Sequence, residues 1–168
     1  METTHREQTS RSFGDPRLLV ISAAALFAGI MVYVLARDPG SVHFLPRSLQ
    51  LGLLPHSLHD LTGQLPTFAH VVAFSLVTVW ALNCTRMQAL TACAGWMLIE
   101  MACELGQIPT LGAWLAPRVP HWFSHVWLLD GTASLFLHGT FDPWDMAAAA
   151  LGAAAAFFIA LKFQSRRP

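Results

Sequence analysis

The chain has 168 residues, of which 54% are apolar and 12% charged, with a formal net charge of zero. That charged share is about half that of an ordinary soluble domain, and with a mean hydropathy of +0.48 it excludes a disordered chain, which is charge-rich and apolar-poor. A neutral chain also lacks the basic surface that phosphate neutralisation demands, so no nucleic-acid partner is expected.

One domain is expected at this length, preceded by a tail over residues 1–17. Residues 18–36 (LLVISAAALFAGIMVYVLA) hold no charge and suffice for a helix across a bilayer core of ~30 Å. The run exceeds the apolar core of a signal peptide. It is expected to stay as a span, although Val34 and Ala36 offer a small-residue cleavage pattern before Arg37. The loop 37–66 places Pro39, Pro46, Pro55 and Pro66 among leucines and His43, His56 and His59, and reads as a segment lying along the membrane surface. Residues 67–83 (TFAHVVAFSLVTVWALN) follow, with His70 as their one titratable group, then 87–105 (MQALTACAGWMLIEMACEL) with Glu100 and Glu104. The loop 106–141 carries Trp114, Trp122 and Trp127, with Trp144 just beyond, rings suited to the headgroup level. Its part 119–138 is apolar enough to dip into the bilayer, while Asp130-Gly131 at its centre argues against a fifth span. Residues 146–161 (MAAAALGAAAAFFIAL) are uncharged, extended by Lys162 and Phe163, and 164–168 form a second tail.

The four runs hold two of the twenty charges and are apolar all round, not striped as in a soluble bundle. The expected fold is therefore an all-α membrane protein, a bundle of four transmembrane helices at about 18–36, 67–83, 87–105 and 142–163. Interfacial helices are expected in the two outer loops. Orientation follows from basic residues near the spans. Arg6, Arg11, Arg17, Arg86, Lys162, Arg166 and Arg167 share one side against Arg37, Arg47 and Arg118 on the other. Both termini are thus expected in the cytoplasm, with the protein in the plasma (inner) membrane. Cys84, Cys93 and Cys103 are too few for a disulfide framework and read as small buried thiols.

The polar residues within the spans converge on one level. The third helix runs outward, and spacings of four and three put Glu100, Glu104 and Gln107 on one face at its outer end. His70 lies one turn inside the outer end of the second helix, and Asp142 and Asp145 open the fourth. Each has a plainer explanation. The two aspartates, with Pro143 between them, suit helix capping, His70 suits a structural histidine, and Gln107 suits a loop. Glu100 is harder to dismiss, because a carboxylate inside a membrane costs ~2.5 kcal/mol or more unless partnered. The candidate ligand-binding set is His70, Glu100, Glu104, Gln107, Asp142 and Asp145.

An outer-end His (Phe68-Ala69-His70), a Glu-x-x-x-Glu-x-x-Gln face (EMACELGQ, 100–107) and an Asp-bearing turn (Gly139-Thr140-Phe141-Asp142-Pro143-Trp144-Asp145) running into Leu151-Gly152 together resemble the VanZ-like membrane proteins. The resemblance covers about residues 66–160. It implies polar family positions at His70, Glu104, Gln107 and Asp145, with Asp142 in the preceding turn. The chain departs from the family at Gly139, where an Arg is common, and at 147–150, where alanines replace an Asn. The connection from Gln107 to Gly139 is also longer. The family's founding member is associated with low-level teicoplanin resistance, which is not carried over to this chain.

His121 and His125 (HWFSH) are four apart and are weak metal candidates if they share a helix face, but Trp122 stands where a zinc-protease pattern needs Glu. His138 beside Asp142 is a further weak candidate. Phosphate loops, serine elbows and haem-attachment cysteines are missing from the sequence, and no cofactor is expected. Ala148, Gly152 and Ala156 recur every four residues as a close-packing face for a neighbouring helix. The function expected first is an outward polar pocket for a lipid headgroup, a lipid-linked cell-envelope intermediate or a cation, with membrane lipids and a membrane protein among its partners. One alternative is a small intramembrane hydrolase or transferase, with Glu100, Glu104 or His70 as catalytic candidates. Another is a structural or assembly subunit of a membrane complex.

Overall fold

A computed structural model describes residues 13–36, 51–53, 63–126 and 129–164. Among them all regular structure is helical. His43, His56, His59, Trp127 and the tail arginines on which the expectations above partly rest lie outside the described residues.

The first helix, α1 (Arg17–Ala36), is apolar on all sides. The second, α2 (Leu65–Ala81), opens with Pro66 in its first turn, where a missing N–H costs nothing. It closes in a Schellman motif. Asn83 takes the left-handed conformation at φ 47, its N–H donates to Trp80 O, and the Cys84 N–H reaches back to Val79 O at 3.1 Å. Two residues later Thr85 and Gln88 form a capping box that starts α3 (Arg86–Leu105). The chain therefore reverses within four residues.

Helix α3 ends in a sharp bend. Pro109 has no N–H and forces Ile108 into an extended conformation, so the short α4 (Pro109–Leu115) leaves at 101° to α3. Two 3-10 turns follow at Ala116–Arg118 and His121–His125, then α5 (Thr132–His138) and α6 (Pro143–Gln164). The stretch 119–138 is thus broken into short pieces, each far shorter than the ~20 residues a span requires.

α2 is the central helix. It packs against α1 on one side and against α3 and α6 on the other, while α3 and α6 also touch. The core is built from Val71, Leu76 and Val79 of α2, Ala89 and Cys93 of α3, and the alanines of α6. The small-residue face of α6 meets α2. A Cβ on Gly152 would stand 2.8 Å from Phe68 O and 3.2 Å from Val71 Cβ, so only glycine allows the two helices this close. Cys84 and Cys93 are buried free thiols, as the sequence predicts, whereas Cys103 is half-buried.

At one end of the bundle Gly14 N–H donates to Trp80 O, Phe13 stacks on Trp80 at 4.8 Å, and Gln164 Nε2 donates to Cys84 O. The first and the last described segments thus meet the α2–α3 turn. The opposite end holds the start of α2, the end of α3, the short helices and the start of α6. Only 22% of the most apolar window of α1 and 33% of that of α6 is buried, and Val20, Phe27, Leu151 and Phe158 face outward. These two helices are long and apolar enough to cross a membrane, and α3 with its bent continuation makes up to three. α2 is apolar but has 17 residues, about 25 Å of helix.

Candidate functional site

Three helix ends meet at the pole opposite the termini, and each leaves backbone groups to be satisfied. Helix α6 begins after Asp142, whose Oδ1 accepts the Trp144 N–H at 2.9 Å as an N-cap. The N–H of Asp142 itself donates to Glu104 Oε1 at 2.5 Å, so the side chain at the end of α3 holds the start of α6. The other Glu104 oxygen, Oε2, accepts from Gln107 Nε2 at 2.9 Å. Asp142 Oδ2 accepts from Gln64 Nε2 at 3.1 Å, which ties in the N-cap position of α2.

Glu104 is the one buried acid among the described residues, 8% exposed. Its partners are a backbone amide and a carboxamide, neither of which carries charge. The carboxylates of Asp142 and Asp145 lie within Coulombic range of it, and Asp145 Oδ1 is shut off from solvent. Gly139 belongs to the same cluster. A Cβ there would collide with Gln107 Oε1 and Leu135 O, so an Arg at this position needs both the Gln107 side chain and the end of α5 to move.

The structure brings Glu104, Gln107, Asp142 and Asp145 together, and it separates His70 and Glu100 from them as a pair one turn further into the bundle. His70 Nδ1 lies 3.3 Å from Glu100 Oε1 between α2 and α3. Gln64 joins the cluster without having been singled out in the sequence. Its signal was the Pro66 that opens α2 two residues later, which marks Gln64 as a helix-start residue and not as loop.

His121 and His125 fall in a 3-10 helix. At about 120° per residue, positions four apart diverge by about a third of a turn, so the shared face that an α-helix would give is lost. His138 ends α5 as an exposed residue. Among the described residues no three His, Cys, Asp or Glu side chains come together as a metal-binding group.

Comparison with protein-family models, with curated proteins and with solved structures finds no match. The functional case therefore rests on the arrangement of these side chains.

Proposed function

We propose that the chain is a four-span plasma-membrane protein whose outward pole binds a cationic or hydroxyl-bearing group, such as an amine-bearing lipid headgroup, a cell-envelope intermediate or a divalent cation. In this reading α2 and α3 join α1 and α6 as spans. The outward-facing apolar side chains of α1 and α6 support it, because a soluble monomer rarely leaves such surfaces to water.

One observation carries the pocket. Three carboxylates, Glu104, Asp142 and Asp145, converge with the carboxamides of Gln64 and Gln107 at the junction of three helix ends. Grouped carboxylates repel one another in a poorly solvated setting, and a bound cation or a polyhydroxyl donor relieves that repulsion. The matched positions of the VanZ-like resemblance, Glu104, Gln107 and Asp145, lie in this cluster, and His70 lies one turn away. The resemblance enters here as a proposal alongside the geometry.

A second reading has its own support. Both oxygens of Glu104 are used inside the chain, as a peg that joins α3 to α6, which is what a structural or assembly subunit would need. Thermal melting of the purified protein in detergent, with glucosamine or Ca²⁺ added, separates the two. A pocket predicts a saturable rise in the wild-type melting temperature with one of these probes, lost in Asp145→Asn. A wild type that responds to neither, or an Asp145→Asn variant that responds as the wild type does, rejects the pocket.

A further inference from the structure

The His70–Glu100 pair differs in kind from the Glu104 cluster. Its side chains are 36% and 25% exposed, and it lies on the outer seam between α2 and α3. A ring nitrogen facing a carboxylate oxygen holds the proton of that contact, so in the neutral ring Nε2 is an acceptor. Glu100 Oε2 is a second one. Among the described residues neither side chain has a further hydrogen bond.

Further in along the seam the chemistry changes. The Phe74 ring lies 6.0 Å from the His70 ring and stacks on Trp96 at 4.9 Å. Trp96 Nε1 donates to Thr78 Oγ1 at 2.9 Å, which fixes the indole in place. Phe74 is exposed on the outside of the bundle. Two open acceptors therefore stand at the head of a floor made by the stacked Phe74–Trp96 pair.

We propose that this seam binds an aminophospholipid, its primary ammonium donating to Glu100 Oε2 and His70 Nε2 and an acyl chain lying along Phe74 and Trp96. A carboxylate beside an acceptor nitrogen calls for a positively charged group with several N–H donors. The neighbouring ring of Phe74 adds a face that attracts a cation. A choline headgroup brings the charge without the donors, and a glycerol headgroup brings hydroxyl donors without the positive charge. The apolar floor selects an amphipathic ligand over a free amine. The proposal rests on the membrane-spanning reading and is independent of the Glu104 cluster.

The test is native mass spectrometry of the full-length protein. It is equilibrated with equal amounts of phosphatidylethanolamine, phosphatidylcholine and phosphatidylglycerol of matched chains. Wild type is expected to retain the ethanolamine lipid about tenfold over the choline lipid, the discrimination a charge-assisted hydrogen bond supplies. The preference falls to parity in Glu100→Gln. Equal retention of the three lipids by wild type, or an unchanged preference in Glu100→Gln, overturns the proposal. A preference lost in Glu104→Gln but kept in Glu100→Gln also overturns it, while supporting a headgroup at the Glu104 cluster. Phe74→Ala leaves the His70–Glu100 contact in place and removes the floor. It is expected to lower retention of the ethanolamine lipid, and unchanged retention counts against the seam even if Glu100→Gln fails to fold.

Discussion

Glu104 is buried, yet each of its oxygens has a donor, and one of those donors is the amide of the residue that caps another helix. Removing its carboxylate leaves the Asp142 N–H and the Gln107 amide without acceptors, at about 1–3 kcal/mol for a buried polar group so orphaned. Glu104→Ala is therefore expected to melt well below wild type. Glu104→Gln falls between them, because its carbonyl oxygen can still accept from Asp142. Identical melting temperatures for all three proteins would show that the contact holds nothing together. Cys84 offers a different check. Burial pushes its thiol up from the usual range, so less thiolate is present at any given pH, and thiolate is the reactive form. In the folded protein iodoacetamide should modify Cys84 more slowly than in the denatured chain, with the pH profile displaced upward. The acids of the cluster were legible in the sequence because carboxylates are rare in apolar runs. The partition into a Glu104 cluster and a separate His70–Glu100 pair was not, because it depends on the rotation of α2 against α3, which spacing within each helix does not specify.

At the scale of elements, the long helices were the readable part. The apolar runs locate α1, α2, α3 and α6 to within a few residues, and Pro143 marks the start of α6, while the start of α2 at Pro66, its stop at Asn83 and the capping box of Thr85 with Gln88 emerge in the structure. The loop after α3, and its part 119–138 above all, was less readable. Its apolar content suggested a dip into the bilayer, while its folding into 3-10 turns and seven-residue helices follows from local breaks at Pro109, Pro117 and Pro120. Two glycines separate packing from propensity. Gly95 sits inside α3 with nothing within 4 Å of where a Cβ would stand. Gly95→Ala is expected to stabilise by up to about 1 kcal/mol, since alanine loses less backbone entropy on entering a helix. Gly152 faces Phe68 O and Val71 at contact distance, and Gly152→Ala is expected to destabilise by about 1–3 kcal/mol as overpacking forces α6 off α2. Thermal melting of both variants in one detergent decides it, and effects of the same sign would contradict the close approach of these helices.

At the scale of the molecule, the charged side chains among the described residues gather at two ends of opposite sign. Arg17, Arg86 and Lys162 lie at or near the end where Gly14 meets Trp80 and Gln164 meets Cys84, and among the described basic residues only Arg118 lies at the other. Five of the six described acids, Glu100, Glu104, Asp130, Asp142 and Asp145, belong to the opposite pole. In the proposed four-span reading, a bundle so polarised is expected to sit with its basic pole on the cytoplasmic side. Gly14 and Gln164 both meet the α2–α3 turn, so in that reading the number of crossings between them is even and the direction of one helix sets them all. This arrangement predicts the outcome of cysteine accessibility in intact cells, in a background where Cys84, Cys93 and Cys103 are serine. Ser124→Cys, exposed at the acidic pole, should react with a membrane-impermeant maleimide from outside. Met87→Cys, exposed at the start of α3, should react only after the cells are permeabilised. The reverse pattern would place the acidic pole in the cytoplasm and remove any extracellular ligand from consideration, and labelling of both sites in intact cells would contradict the four-span bundle itself.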